Sequence, residues 1–168
     1  MSVPWESVVV KVRFVVHTMG LAGWDKSRNH WSIFLVLQGE SSSVRLNRSL
    51  ANGSDENGTF SVTSHPFVLS DSRLTYFDYD TCPGLLVGHC LNLIYTKRRN
   101  NYRMTGSGNG CRFWVWTIFS DFEVQRYIPI TPAEKEAFGA LIQQRYHRSA
   151  HTQQIIAISD PMEIGQFL

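Results

Sequence analysis

Of the three cysteines in the chain, Cys111 stands where a thiol is most easily turned into a nucleophile. It follows the glycine-rich run GSGNG and opens the segment CRFWVWTIFSDFEVQRY, which reads as a helix. A thiol in the first turn of a helix lies among backbone N–H groups that have no partner within the helix, and these favour the thiolate. Gly106, Gly108 and Gly110 allow positive φ and close approach of a substrate backbone, while nearby amides can receive an oxyanion. The same pattern also fits a small buried cysteine behind an ordinary turn.

A thiolate needs a base, and His30 opens the strand-like run HWSIFLVL, where a sheet can hold an imidazole against a helix terminus. Asn47 ends the next strand-like run, SVRLN, and offers a neutral acceptor to orient that ring. His65 on the following strand is the second choice of base, whereas His17, His89, His147 and His151 have no positional reason to join Cys111. Trp31 follows the proposed base, and Phe113, Trp114 and Trp116 follow the proposed nucleophile. They are expected to wall an apolar ligand cleft, although aromatics at helical spacing more often pack a core. Arg112, beside the thiol, is suited to a substrate carboxylate. The expected substrate-binding set is therefore Trp31, Gly108, Gly110, Arg112, Trp114 and His65, around the catalytic group Cys111, His30 and Asn47.

Other chemistries are poorly served. GSGNG lacks the Gly-Lys-Ser/Thr of a phosphate loop, and the spacing and ribose-binding acid of a dinucleotide site are missing. His65, Asp78, Asp80, Cys82 and His89 match no standard metal spacing, and Asp71, Asp78 and Asp80 read as turn residues. No metal and no cofactor are expected.

The elements that must position these residues fall into two groups. Residues 7–17, 30–37 and 43–47 are strand-like, residues 51–59 form a polar loop, and GTFSVTSHPFVL resumes the strand pattern, with 74–79 as a further short strand. From Pro83 the period changes: Leu86, Cys90, Leu93 and Ile94 recur every three or four residues and predict a helix ending near Lys97. A short strand at 101–105 precedes the Cys111 helix, which is apolar on most sides and reads as buried. Thr131, Pro132 and Glu134 form a helix start, with the helix expected to reach about Arg148, and residues 149–168 read as a less regular tail. The order predicts an α+β domain spanning residues 1–168, with an antiparallel sheet against two or three helices.

Composition narrows the function classes. The 168 residues include 21 aromatics and are 43% hydrophobic, which excludes a disordered chain. A net charge of +2 gives no one-sided field, so neither nucleic acid nor a membrane surface is the expected partner. No apolar run is long enough to span a bilayer, and 8–16 is broken by Lys11 and Arg13. Sequons at Asn47, Asn52 and Asn57 read as chance or turn chemistry, and an odd cysteine count without Cys-x-x-Cys fits a reducing, cytoplasmic compartment. The low charged fraction, 18%, and the apolar end at 164–168 allow a homodimer.

Two islands, NHWSIFLVL and GNGCRFWVWTIFSDF, resemble the circularly permuted branch of the NlpC/P60 papain-like proteins, which includes lecithin:retinol acyltransferase-like proteins and PPPDE-type peptidases. The resemblance implies Cys111 as nucleophile, His30 as base and Asn47 as orienting residue, with histidine preceding cysteine. Gly110 stands where that branch carries Asn. NHWSI, VRLN and the GSGNGCRFWV block are also similar to small fungal proteins of unknown function associated with secondary metabolism, which implies a small peptide-like or polyketide-like substrate. The leading expectation is a cysteine-dependent acyl-transfer enzyme: an amidase, peptidase, thioesterase or acyltransferase. The alternatives are a non-covalent cyclase or isomerase using His30 and Asn47, and a non-catalytic module that binds a small ligand or peptide.

Overall fold

β-branched and aromatic residues alternate along five segments, and each segment is a strand of one antiparallel sheet. In the computed structural model, which describes residues 2–18, 29–50, 57–105 and 109–168, these strands are β1 (Val9–Thr18), β2 (Asn29–Leu37), β3 (Ser43–Ser49), β4 (Thr59–His65) and β5 (Arg73–Asp80). Their order across the sheet is β4-β3-β2-β1-β5. Three helices follow, α1 (Val87–Thr96), α2 (Cys111–Val124) and α3 (Pro132–Ile142). The short strands β6 (Tyr102–Arg103) and β9 (Gln166–Phe167) pair with each other, as do β7 (Gln144–Arg148) and β8 (Ile155–Ser159). The architecture is α+β with an antiparallel sheet.

Strand alternation divides the sheet into two unlike faces. Val12, Phe14 and Val16 of β1, Trp31, Ile33 and Leu35 of β2, and Val44 and Leu46 of β3 form one continuous core with Trp114, Val115, Ile118 and Phe119 of α2 and Phe138 of α3. Phe14 lies at its centre, with ring centroids 4.9 Å from Phe138 and 5.5 Å from Phe119. The intervening residues, among them His17, Ser32, Phe34 and Arg45, belong to the other face; Phe34 is fully buried there, outside the helix-covered core.

Local signals set the helix ends. Thr131 and Glu134 cap α3 reciprocally, with the Glu134 N–H donating to the Thr131 hydroxyl at 3.2 Å and the Thr131 N–H to the Glu134 carboxylate at 2.7 Å. That helix stops at Ile142 instead of near Arg148, because residues 144–148 take a better set of partners as β7. β8 completes their ladder, and the Asn29 carboxamide grips the Tyr146 backbone on both sides, at 2.8 and 2.6 Å. The expected irregular tail therefore carries two strands. Buried Asp121 of α2 accepts from both Lys97 and Arg99 at 2.7 Å, which ties α2 to the chain leaving α1. Among the described residues no helix is long and apolar enough to cross a membrane.

Candidate functional site

α2 begins at an end of the sheet, where three chain segments meet. Gly110 is its N-cap at φ 115°, a left-handed conformation that side chains rarely adopt. The Tyr102 hydroxyl donates to the Gly110 carbonyl at 2.8 Å and accepts from the Gly165 N–H at 2.9 Å, so one buried phenol joins the helix start to the C-terminal segment. A Cβ at Gly110 would lie 2.9 Å from that hydroxyl, so the glycine is required for space as well as for φ. Arg112 closes the arrangement, donating to the Ile142 carbonyl at 3.2 Å and to the Asp160 carboxylate at 3.0 Å.

Between these segments lies an open cavity of about 300 Å³, lined by Asn29, Asn109, Gly110, Cys111, Arg112, Arg145, Asp160 and Glu163. Cys111, the first residue of α2, borders it. The thiol points at the edge of β2, with Sγ 3.8 Å from the Asn29 carbonyl oxygen. Burial pushes its pKa up, while the backbone N–H of Trp31, the Arg112 charge and the N–H groups of Arg112 and Cys111 pull the other way. Burial wins, and the sulfur is held as a thiol. On the opposite wall the Glu163 carboxylate accepts from Asn109 Nδ2 at 2.6 Å and from the Thr105 hydroxyl at 2.7 Å.

The structure brings His30 and Asn47 together, with His30 Nε2 2.6 Å from Asn47 Oδ1, and among the described residues no hydrogen bond joins this imidazole to the thiol. Cys111 meets β2 at Asn29 and Trp31, and Trp31 belongs to the helix-covered core. His30, between them, alternates to the opposite face. There its ring centroid lies 5.7 Å from that of His17, whose two nitrogens are held by Ser72 at 2.9 Å and Ser32 at 2.6 Å. Among the described residues no hydrogen bond joins the His30 ring to the Cys111 thiol, which meets the backbone edge of β2 on either side of residue 30. Burial, the largest influence, keeps both imidazoles neutral, with His17 lowered to about 3 and His30 also lowered.

The expected aromatic cleft is corrected. Trp31 is fully buried and stacks on Phe77 at 6.0 Å. Trp114 is fully buried and donates its indole N–H to the Arg99 carbonyl at 2.8 Å. Trp116 stacks on Phe119, and Phe113 packs on Phe167. All four rings hold the helix layer in place, and none lines the Cys111 cavity. Arg112 lines it but spends its donors on the C-terminal segment. His65 lies on β4, 2.9 Å from the Thr63 hydroxyl and packed on Phe34 and Phe67, and is not among the residues that line the cavity. Gly106 and Gly108 lie outside the described residues.

Five cavity residues escaped the sequence reading: Asn29, Asn109, Arg145, Asp160 and Glu163. Asn29 and Asn109 adjoin the motifs that drew attention, NHWSI and NGC, so their neighbours were a signal. Arg145 lay in the expected helix and the two acids in the expected tail, with no spacing to single them out. No curated protein and no solved structure matches the chain. A family model described as a domain of unknown function (DUF7770) matches residues 12–168, which takes in every cavity residue described above, and the chain belongs to that family.

Proposed function

We propose that the protein binds a small polar metabolite in the Cys111 cavity, one that carries both an anionic and a cationic group. The observation that supports this most directly is the lining: two guanidiniums, two carboxylates and two carboxamides converge on about 300 Å³ at a helix N-terminus. The anionic end of such a ligand meets Arg145 and the start of α2, and the cationic end meets Glu163 and Asp160. The three free cysteines fit a reducing, cytoplasmic setting, and the exposed Ile156, Ile158, Ile164 and Leu168 offer a homodimer contact. The test is thermal denaturation against a panel of free amino acids. Stabilisation of the wild type by at least one zwitterion, lost in Arg145→Gln and Glu163→Gln, is the expected result; equal stabilisation of both variants would refute the cavity as the site.

A second reading, cysteine-dependent acyl transfer, draws on the thiol at the first position of a 14-residue helix facing the cavity. Cys111 Sγ would attack a substrate carbonyl to form a thioester, the leaving amine or alkoxide taking the thiol proton, and water or an acceptor nucleophile would then release the acyl group. Among the described residues no hydrogen bond joins the thiol to an imidazole, and the bases that line its cavity are the Asp160 and Glu163 carboxylates. Carboxylate and thiol ordinarily differ by about 4 pK units, roughly 6 kcal/mol against proton transfer, which ranks this reading second. Limiting iodoacetamide across a pH series, followed by peptide mapping, separates the two. Labelling of Cys111 well ahead of Cys82 below about pH 7 would promote acyl transfer, and slow labelling supports binding alone.

A further inference from the structure

Among the described residues, the face of the sheet turned away from the helices holds a cation without a counter-ion. Arg45 stands opposite Phe34 in the β2–β3 ladder, its guanidinium 5.7 Å from the ring centroid. Its Nε is buried with no hydrogen-bond partner, and no ion pair among the described residues includes it. The acids of this face serve other cations. Asp78 holds Arg13 through two bonds of 2.7 and 2.8 Å, Glu40 holds Lys11 at 2.8 Å, and Asp80 lies across the ladder from Lys11.

The groups around Arg45 leave its charge uncompensated. His17 and His30 face it from β1 and β2, and His65 from β4; the Arg45 charge helps to hold all three imidazoles neutral. Desolvation is the one influence on Arg45 itself, and it opposes the charge. A ring face 5.7 Å away satisfies none of the five N–H donors of a guanidinium. A planar fork with no acceptor, set among neutral rings, is the donor set that carboxylate and phosphate oxygens match. Asn47, two residues along on the same face, has its carboxamide oxygen on His30, and its Nδ2 is oriented by that bond. We propose that Arg45 anchors a binding site for a small oxyanion, a carboxylate or phosphate group, on the sheet face opposite the helices, with Asn47 and His65 at its sides. This site is separate from the Cys111 cavity, and the two stand or fall independently.

The probes are inorganic phosphate and acetate, titrated separately at constant ionic strength balanced with chloride, because screening alone changes exposed charge interactions. Ring resonances of the six histidines are followed by NMR, together with the melting temperature. The expected result is that one or both anions shift the His17, His30 and His65 rings, leave His147 and His151 in place, and raise the melting temperature. A response to phosphate alone assigns a phosphoryl ligand, and a response to acetate alone a carboxylate ligand. Arg45→Gln should weaken the apparent affinity by about tenfold or more, and Arg45→Lys, which keeps the charge without the fork, by less. The proposal is overturned if neither anion moves those three rings more than His147 and His151, or if Arg45→Gln binds as tightly as the wild type. The wild-type ring shifts decide the matter even if the Arg45 variants fail to fold.

Discussion

The two faces of β2 differ in what they bury. Trp31, Ile33 and Leu35 meet only carbon-rich neighbours under α2 and α3, whereas His30, Ser32 and Phe34, one residue out of step, meet His17, Asn47 and Arg45. The first face draws its stability from apolar area and ring contacts. The second buries polar groups whose cost falls when they are paired, so its contribution depends on pH and on single hydrogen bonds. The His30 imidazole belongs to the polar face, and among the described residues it makes no hydrogen bond to the Cys111 thiol.

The strongest way to separate the faces is acid. His17 is neutral in the folded protein, with its pKa lowered to about 3 by burial first and by Arg45 and His30 next. The unfolded chain binds a proton near pH 6.5, so below that pH it holds more protons than the native state, and stability falls as pH falls. The contribution is fully present above about pH 6.5 and is lost progressively down to about pH 3, at about 1.4 kcal/mol per unit, so roughly 5 kcal/mol in all. Urea denaturation at pH 7, 5.5 and 4.5 should show this slope, and His17→Gln should flatten it. An unchanged slope in that variant would remove His17 as the cause.

On the helix-covered face the effect is independent of pH. Phe14→Ala removes a ring packed on Phe119, Phe138 and Tyr79 and should cost about 3–5 kcal/mol at both pH 7 and pH 5. A loss that varied with pH would mean that the two faces are coupled. Returning to the polar face, Asn47→Ala strips the acceptor from the half-buried His30 ring and should cost about 1–3 kcal/mol, read from the urea midpoint. His65→Gln at the rim, where the ring meets the exposed Thr63 hydroxyl, should change stability by less than about 0.5 kcal/mol. If His65→Gln cost as much as Asn47→Ala, the polar face would be one cooperative network rather than an inner pair and a rim.

Much of the architecture was legible because alternation and helical spacing are local. The runs around Val12, Ile33 and Val44 became strands, the Leu86, Cys90 and Ile94 spacing became α1, and Thr131 with Glu134 capped α3. The change from helix to strand after Ile142 was not legible, since β7 owes its state to β8 and to the Asn29 carboxamide, 117 residues away in sequence. The site divided in the same manner. The pairing of His30 with Asn47 joins neighbouring strands and follows from two local patterns.

By itself the sequence determined which segments alternate, where α2 begins, and that a glycine with positive φ must precede Cys111. Tertiary structure alone decided that Cys111 reaches β2 at Asn29 and Trp31, and that His30 bonds Asn47 on the face away from the helices. The reason is the two-residue period of a strand: a register of one residue moves a side chain across the whole sheet, and that register is set by packing between distant elements. The same packing folded the C-terminal segment back over α2, supplying Asp160 and Glu163 to the cavity, while Arg45, on the far side, pairs with no acid among the described residues.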